Sequence, residues 1–151
     1  MTAFWRIVGS NSVRSASEVQ SALEQVSGQL RELDPDGLVQ FEGKLREAPH
    51  TIDRRELAEI PVSLAGGLEL PQTSDHFLYA RCACILSGQD AYDAVLLAAS
   101  EFSRFVRPYA QAAEELLYLA SGTYEKKVGE ESSLKAMFPL ESTSNVQGWT
   151  E

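Results

Sequence analysis

The sequence predicts an all-α protein: a single compact domain of six or seven helices around a buried central helix, followed by an irregular C-terminal tail. Three observations predict it. Apolar residues recur at steps of three and four in several windows, the period of a helix with one buried face. No segment sustains the alternation of apolar and polar residues that a half-buried strand needs. The stretch Ser74 to Leu86 opens with a capping signal and then runs apolar on every side, with Arg81 as the one charge after its first turn. A helix of that kind belongs at the centre of a domain. With 151 residues, 44% of them hydrophobic, the chain can bury one ordinary core and not two. The expected division is a helical domain over residues 1–129 and a tail over 130–151.

Each element follows from local pattern. Phe4 to Val8 reads as a short helix that docks Phe4, Trp5 and Val8 on the body, and Asn11, Ser12 and Ser15 mark the loop after it. Val19, Leu23, Val26, Leu30 and Leu33 form one seam, opposite Glu18, Glu24, Gln25 and Arg31, with Ser15 or Ser17 as cap and Glu18 or Gln20 completing a capping box. Asp34 caps the next helix with Pro35 in its first turn, where the missing N–H is not needed. Leu38, Phe41 and Leu45 are its buried face, and Pro49 is expected to stop it. A further helix should begin near Thr51 or Asp53 and carry Leu57, Ile60 and Leu64, kinked or interrupted at Pro61 and ended by Gly66-Gly67.

The central helix runs from about Asp75 to Leu86. Ser87-Gly88-Gln89-Asp90 is a stop and restart, after which Tyr92, Val95, Leu96 and Ala99 keep the helical period and Phe102, Phe105 and Val106 add apolar bulk up to Pro108. The last strong helix is expected from about Ala110 to Val128, with Ala113, Leu116, Leu117, Ala120 and Tyr124 inward and Gly129 as C-cap. From Glu130 the composition turns to Ser, Glu, Thr, Asn and Gln, leaving Met137, Phe138, Leu140 and Trp149 as isolated apolar residues, docking points for the body or for another chain.

Charge and cysteine usage narrow the function classes. A net charge of -9 with scattered lysines and arginines argues against nucleic acid, which requires a basic face. No run of about 18 apolar residues suggests a membrane span, and Met1 to Gly9 has no signal-peptide pattern, so a cytoplasmic location is expected. Cys82 and Cys84, two apart, point about 200° apart around a helix, so they neither bridge each other nor share a metal. Buried thiols in a reducing compartment fit this spacing.

Four residues of the central helix are the candidate ligand- or partner-binding groups: Asp75, His76, Tyr79 and Arg81. Arg81 shares its helical face with Phe77, Ala80, Cys84 and Ile85, and a buried guanidinium must find a carboxylate or a bound anion. Its structural reading is a salt bridge to a neighbouring helix, with Glu56, Glu59, Glu114 and Glu115 as first candidates. Its functional reading is an anion site at the floor of a groove. Asp75 is explained by the helix dipole, and His76 has only the distant His50 as a companion. That is too little for a metal site, and neither a catalytic triad nor a phosphate loop is present, so no metal, cofactor or catalytic residue is expected.

Phe4-Trp5, Phe41 in the helix opened by Asp34-Pro35, the run Ser74-Asp75-x-Phe77-x-Tyr79-x-Arg81, Gly88 with Tyr92 behind it, and Tyr124-Glu125 together resemble the bacterial family catalogued as domain of unknown function 4240. The resemblance covers about residues 3 to 130 and implies a compact helical domain without an assigned activity. His76, Ala80 and Gln89 depart from what the resemblance leads one to expect at those positions, and a tryptophan expected near Ala83 or Cys84 is absent.

The functional expectation is a non-enzymatic, acidic interaction domain whose partner is another protein, a basic one on grounds of charge, with an immunity or antitoxin-like protein as one specific form. The alternative is a small-anion binder or enzyme built around Arg81 and Asp75. A pocket exposing the Arg81 guanidinium would favour the alternative, and a closed, paired Arg81 the first.

Overall fold

The computed structural model describes residues 3–129 and 142–149. Met137, Phe138 and Leu140 lie outside them. The first helix, α1 (Ala3–Val8), buries Phe4 and Val8 and sets Phe4 against Phe41 and Trp5 against Tyr92, with ring centroids 5.0 and 5.2 Å apart. Asn11 ties the loop after it to the central helix: its side-chain amide donates to the carbonyls of Val8 and Leu86, and its backbone N–H to Ser87. α2 (Ala16–Arg31) starts at Ser15, whose hydroxyl accepts the Glu18 N–H at 3.2 Å, and the Glu18 carboxylate reaches back to the Arg14 N–H. That is the reciprocal logic of a capping box, displaced by one residue. Of its expected seam, Val19, Leu23, Val26 and Leu30 are buried, while Leu33 lies past the helix end and is half-buried.

α3 (Pro35–Thr51) is capped by Asp34, whose carboxylate accepts the Gly37 N–H at 2.7 Å, and it buries Leu38, Phe41 and Leu45. It does not stop at Pro49. Proline fixes a helical φ and forfeits one hydrogen bond, so in a last turn the backbone can run on, here to Thr51. The expected helix across 51–64 is also replaced. A single turn, α4 (Arg55–Ala58), leads past Pro61 into a two-stranded antiparallel hairpin, β1 (Val62–Ser63) with β2 (Glu69–Leu70), in the register Val62 to Leu70 and Ser63 to Glu69. Pro61 forbids helical continuation, and the link between the strands needs Gly66 and Gly67, both with φ near +84° or +83°. Gln72 closes the end of α4 by donating its amide to the carbonyls of Leu57, Ala58 and Ile60.

The central helix, α5 (Ser74–Ser87), is capped one residue earlier than its sequence suggested, by Thr73 accepting the His76 N–H. Phe77 and the whole run Ala80 to Leu86 are buried. Gly88 ends α5 and opens α6 (Gln89–Leu97); its φ is +119°, and an added Cβ would stand 2.8 Å from the Gly9 carbonyl oxygen, so the restart requires glycine twice over. Two 3₁₀ stretches follow, Ala99–Phe105 and Pro108–Glu115, and only then α7 (Leu116–Val128), which Gly129 ends in the left-handed conformation. The expected helix from Ala110 is therefore 3₁₀ in its first part. Phe102 and Phe105 are buried three apart, as are Ala110, Ala113 and Leu116, matching the three-residue turn of a 3₁₀ helix. The small alanines let the second stretch pack along α5. The final described segment ends in one turn, α8 (Val146–Trp149), against the body.

The fold is thus mostly helical with α5 at its centre, and two measurements test that centre. Ile85→Ala is expected to lower stability by about 2 to 4 kcal/mol in urea denaturation, because Ile85 is fully buried; a change within about 0.5 kcal/mol would place α5 at the surface.

Burial pushes the Cys82 thiol up to about 12 from an ordinary 9.0, and the Cys84 thiol up as well. Above about pH 9 the unfolded chain gives up thiol protons that the folded chain keeps, so stability should fall as pH rises toward 12, by up to about 1.4 kcal/mol per pH unit per thiol. Urea midpoints measured from about pH 8 to about pH 10 check this. A flat profile would mean that the thiols titrate as freely folded as unfolded.

Candidate functional site

The four candidate residues of α5 do not converge. Arg81 points into the body and is fully buried. Its guanidinium donates to the Pro49 carbonyl at 2.9 Å, to the Phe77 carbonyl at 3.4 Å and to the Ser142 hydroxyl at 3.2 Å, and it lies 4.5 Å over the centroid of the Phe77 ring. Burial draws its pKa below the ordinary value, and the Asp53 carboxylate opposes that shift. Among the described residues Asp53 is therefore the carboxylate that acts on Arg81, in place of Glu56, Glu59, Glu114 or Glu115. The reason is topological: Asp53 stands in the short link between α3 and α4, beside the Pro49 end of α3 that receives the guanidinium.

Asp53 is itself fully buried and accepts three hydrogen bonds from the C-terminal segment: the Thr143 N–H at 3.0 Å, the Asn145 N–H at 2.9 Å and the Trp149 indole N–H at 2.8 Å. The Asn145 side chain donates to the His50 carbonyl, and the Ser142 hydroxyl to that of Ser74. Trp149 meets the Phe77 ring edge to face, centroids 6.2 Å apart. Sequence reasoning singled out Arg81 and Trp149 separately and missed Asp53, Ser142 and Asn145, which join them. The signal available was weak: an aspartate directly after an apolar Ile52, where a cap for the next helix is the ordinary reading.

His76 serves the other side of α5. Its Nε2 donates to the Arg107 carbonyl at 2.9 Å and its Nδ1 lies 3.4 Å from the Gln72 amide oxygen, so it pins the entry of the second 3₁₀ stretch.

Asp75 and Tyr79, one turn apart, stand on a third face beside Glu114 and Tyr118. The Tyr79 phenol is raised above its ordinary pKa by desolvation and then by the charges of Glu114 and Asp75. That of Tyr118 is raised chiefly by its hydrogen bond to the Glu114 carboxylate, at 3.1 Å. A cleft of about 570 Å³ opens here, lined by Gln20, Tyr109, Glu114, Glu115 and Tyr118 among others. A second, mainly apolar groove of about 700 Å³ runs between α1 and α3 over Phe4, Ile7, Leu33 and Phe41. Among the described residues no group of three or more His, Cys, Asp or Glu side chains is placed to hold a metal, and no helix is long and apolar enough to cross a membrane.

The family model described as a protein of unknown function, DUF4240, matches residues 1–126. The chain belongs to that family. No curated protein and no solved structure matches it. The DUF4240 match takes in α1 through nearly all of α7, and so includes Asp53, Arg81 and the tyrosine-lined cleft; the segment 142–149 lies beyond it.

Coupling between the two buried charges is measurable by a double-mutant cycle. Arg81→Met is expected to lower stability by about 3 kcal/mol, since it strands acceptors that the guanidinium satisfies, and Asp53→Asn should also destabilise. The double variant should cost less than the sum by about 1 kcal/mol or more. Strict additivity would mean that the charges do not act on each other.

Proposed function

We propose that this DUF4240 protein is a non-enzymatic interaction domain that binds a basic segment of another protein through the cleft of Glu114, Glu115, Tyr109 and Tyr118, in the cytoplasm of a bacterial cell. The observation that carries the reading is the chemistry of that cleft. Carboxylates are interleaved there with tyrosine rings, and the charge of Glu114 reaches Tyr79 on α5, on a chain of net charge -9. Carboxylates attract lysine and arginine over distance and speed encounter. Tyrosine faces then offer the cation–π contacts that hold such side chains once they arrive. The raised phenols of Tyr79 and Tyr118 stay protonated at neutral pH and keep an O–H to donate. An immunity or antitoxin-like protein that neutralises a basic partner is the specific form this reading takes.

The rival reading, a small anion held at Arg81, has less support, because a guanidinium with no exposure and with donors engaged by Pro49, Phe77 and Ser142 offers no open anion seat. The cysteines support the cytoplasmic setting: both are buried free thiols on one helix.

The test is to recover partners from the native cell on immobilised protein and to measure association and dissociation rates of any captured protein across salt. Association should slow at least about tenfold between about 50 and 500 mM salt while dissociation changes less. Glu114→Gln with Glu115→Gln should slow it several-fold at low salt. Salt-independent association, or wild-type kinetics in that pair variant, would remove the reading, and retention of a small anion without any protein would transfer the case to Arg81.

A further inference from the structure

We propose that the cleft at Asp53 and Arg81, framed by α3, α4 and α5, is a peptide-binding site that this chain fills with its own residues 142–149, and that it takes a segment of like chemistry from another protein. Part of the receptor half is held by contacts that do not involve the segment. Arg81 is held by the Pro49 and Phe77 carbonyls and the Phe77 ring, and Phe77 in turn packs on Phe102 at 6.0 Å. Everything in that half falls within the family match, and the occupant falls outside it.

The occupant is held as a ligand is held. None of residues 142–149 is fully buried, and the segment is gripped by polar contacts to fixed acceptors: two backbone N–H groups and an indole N–H on one carboxylate, an asparagine amide on the His50 carbonyl, and a hydroxyl between Arg81 and Ser74. Thr143 adopts φ +76°, which a β-branched residue takes only when its surroundings impose it, and its N–H is one of those on Asp53. At Gly148 an added Cβ would stand 2.5 Å from the Asp53 carbonyl oxygen, so the site admits only glycine there. The recognised chemistry is a peptide turn that presents alternate backbone N–H groups, then asparagine, and a Gly-Trp pair three residues on. Tethering gives the chain's own segment a high effective concentration, so a free peptide enters only when that segment is weakened.

The test uses the full-length chain and a fluorescently labelled peptide with the sequence of residues 142–151. Asn145→Ala with Trp149→Ala in the chain disables the resident segment and leaves the receptor half untouched. Fluorescence anisotropy should show the peptide binding this variant at least about tenfold more tightly than the wild-type chain, whose site is filled. Adding Asp53→Asn to the variant, or replacing the peptide's glycine by alanine, should each weaken binding at least about tenfold. Circular dichroism and urea unfolding accompany the titration. Equal binding to wild type and variant, no binding to a folded variant, indifference to Asp53→Asn, or a variant that no longer unfolds cooperatively would each overturn the proposal, the last because the segment would then belong to the fold itself.

Discussion

A guanidinium with no access to water is tolerable only where fixed dipoles and an opposite charge replace its hydration, and in this protein that requirement falls on Arg81 at the middle of α5. Three elements of the body supply part of the replacement. The end of α3 supplies the Pro49 carbonyl, α5 itself supplies the Phe77 carbonyl and ring, and the link into α4 supplies the Asp53 carboxylate. α3, α4 and α5 are thereby fixed against one another by a charge that apolar packing alone would not position. The continuation of α3 past Pro49 belongs to the same constraint, since a helix broken there would present its carbonyls elsewhere.

Asp53 then carries the constraint outward. A buried carboxylate has several lone-pair positions to satisfy. The N–H groups of Thr143, Asn145 and the Trp149 indole bind it, and Arg81 itself donates to Ser142, so the two buried charges together fix the course of the chain more than sixty residues beyond Arg81. The aromatic half of the arrangement is apolar and local: Phe77 receives Arg81 on its face, with Phe102 and Trp149 each meeting it edge to face.

What was legible in the sequence is what depends on near neighbours. The seam of α2, the Asp34 and Pro35 start of α3, the Gly88 restart and the Gly129 stop are settled by residues within a turn or two, and they stand where the pattern put them. The departures from it have separate causes. Val62–Ser63 and Glu69–Leu70 are too short to show alternation, so a hairpin held by Pro61 and two glycines passed for an interrupted helix. The stretches at Ala99 and Pro108 were read with a step of 3.6, although Phe102 and Phe105, then Ala110, Ala113 and Leu116, recur at three; that shorter period was visible and distinguishes 3₁₀ from α. The role of Asp53 was not visible, because it rests on residues about ninety positions away.

The helix itself explains why four candidates close in sequence serve three different places. At about 100° per residue, Tyr79 returns to within about 40° of Asp75, while Arg81 lies about 160° from Tyr79 and about 140° from His76. The helix keeps Arg81 away from any site the other residues could share, and Asp75 and Tyr79 share the acidic face with Glu114 and Tyr118 while bonds to Gln72 and Arg107 hold His76 elsewhere. Arg81 must serve the opposite side. A motif of the form Ser-Asp-x-Phe-x-Tyr-x-Arg on a central helix thus maps to two surfaces, and a single active centre uniting its polar residues would require the helix to break. α5 does not break: from Ser74 to Ser87 it is continuous, so any function of these residues must be sought on the tyrosine-lined face and on the Asp53 side as separate places.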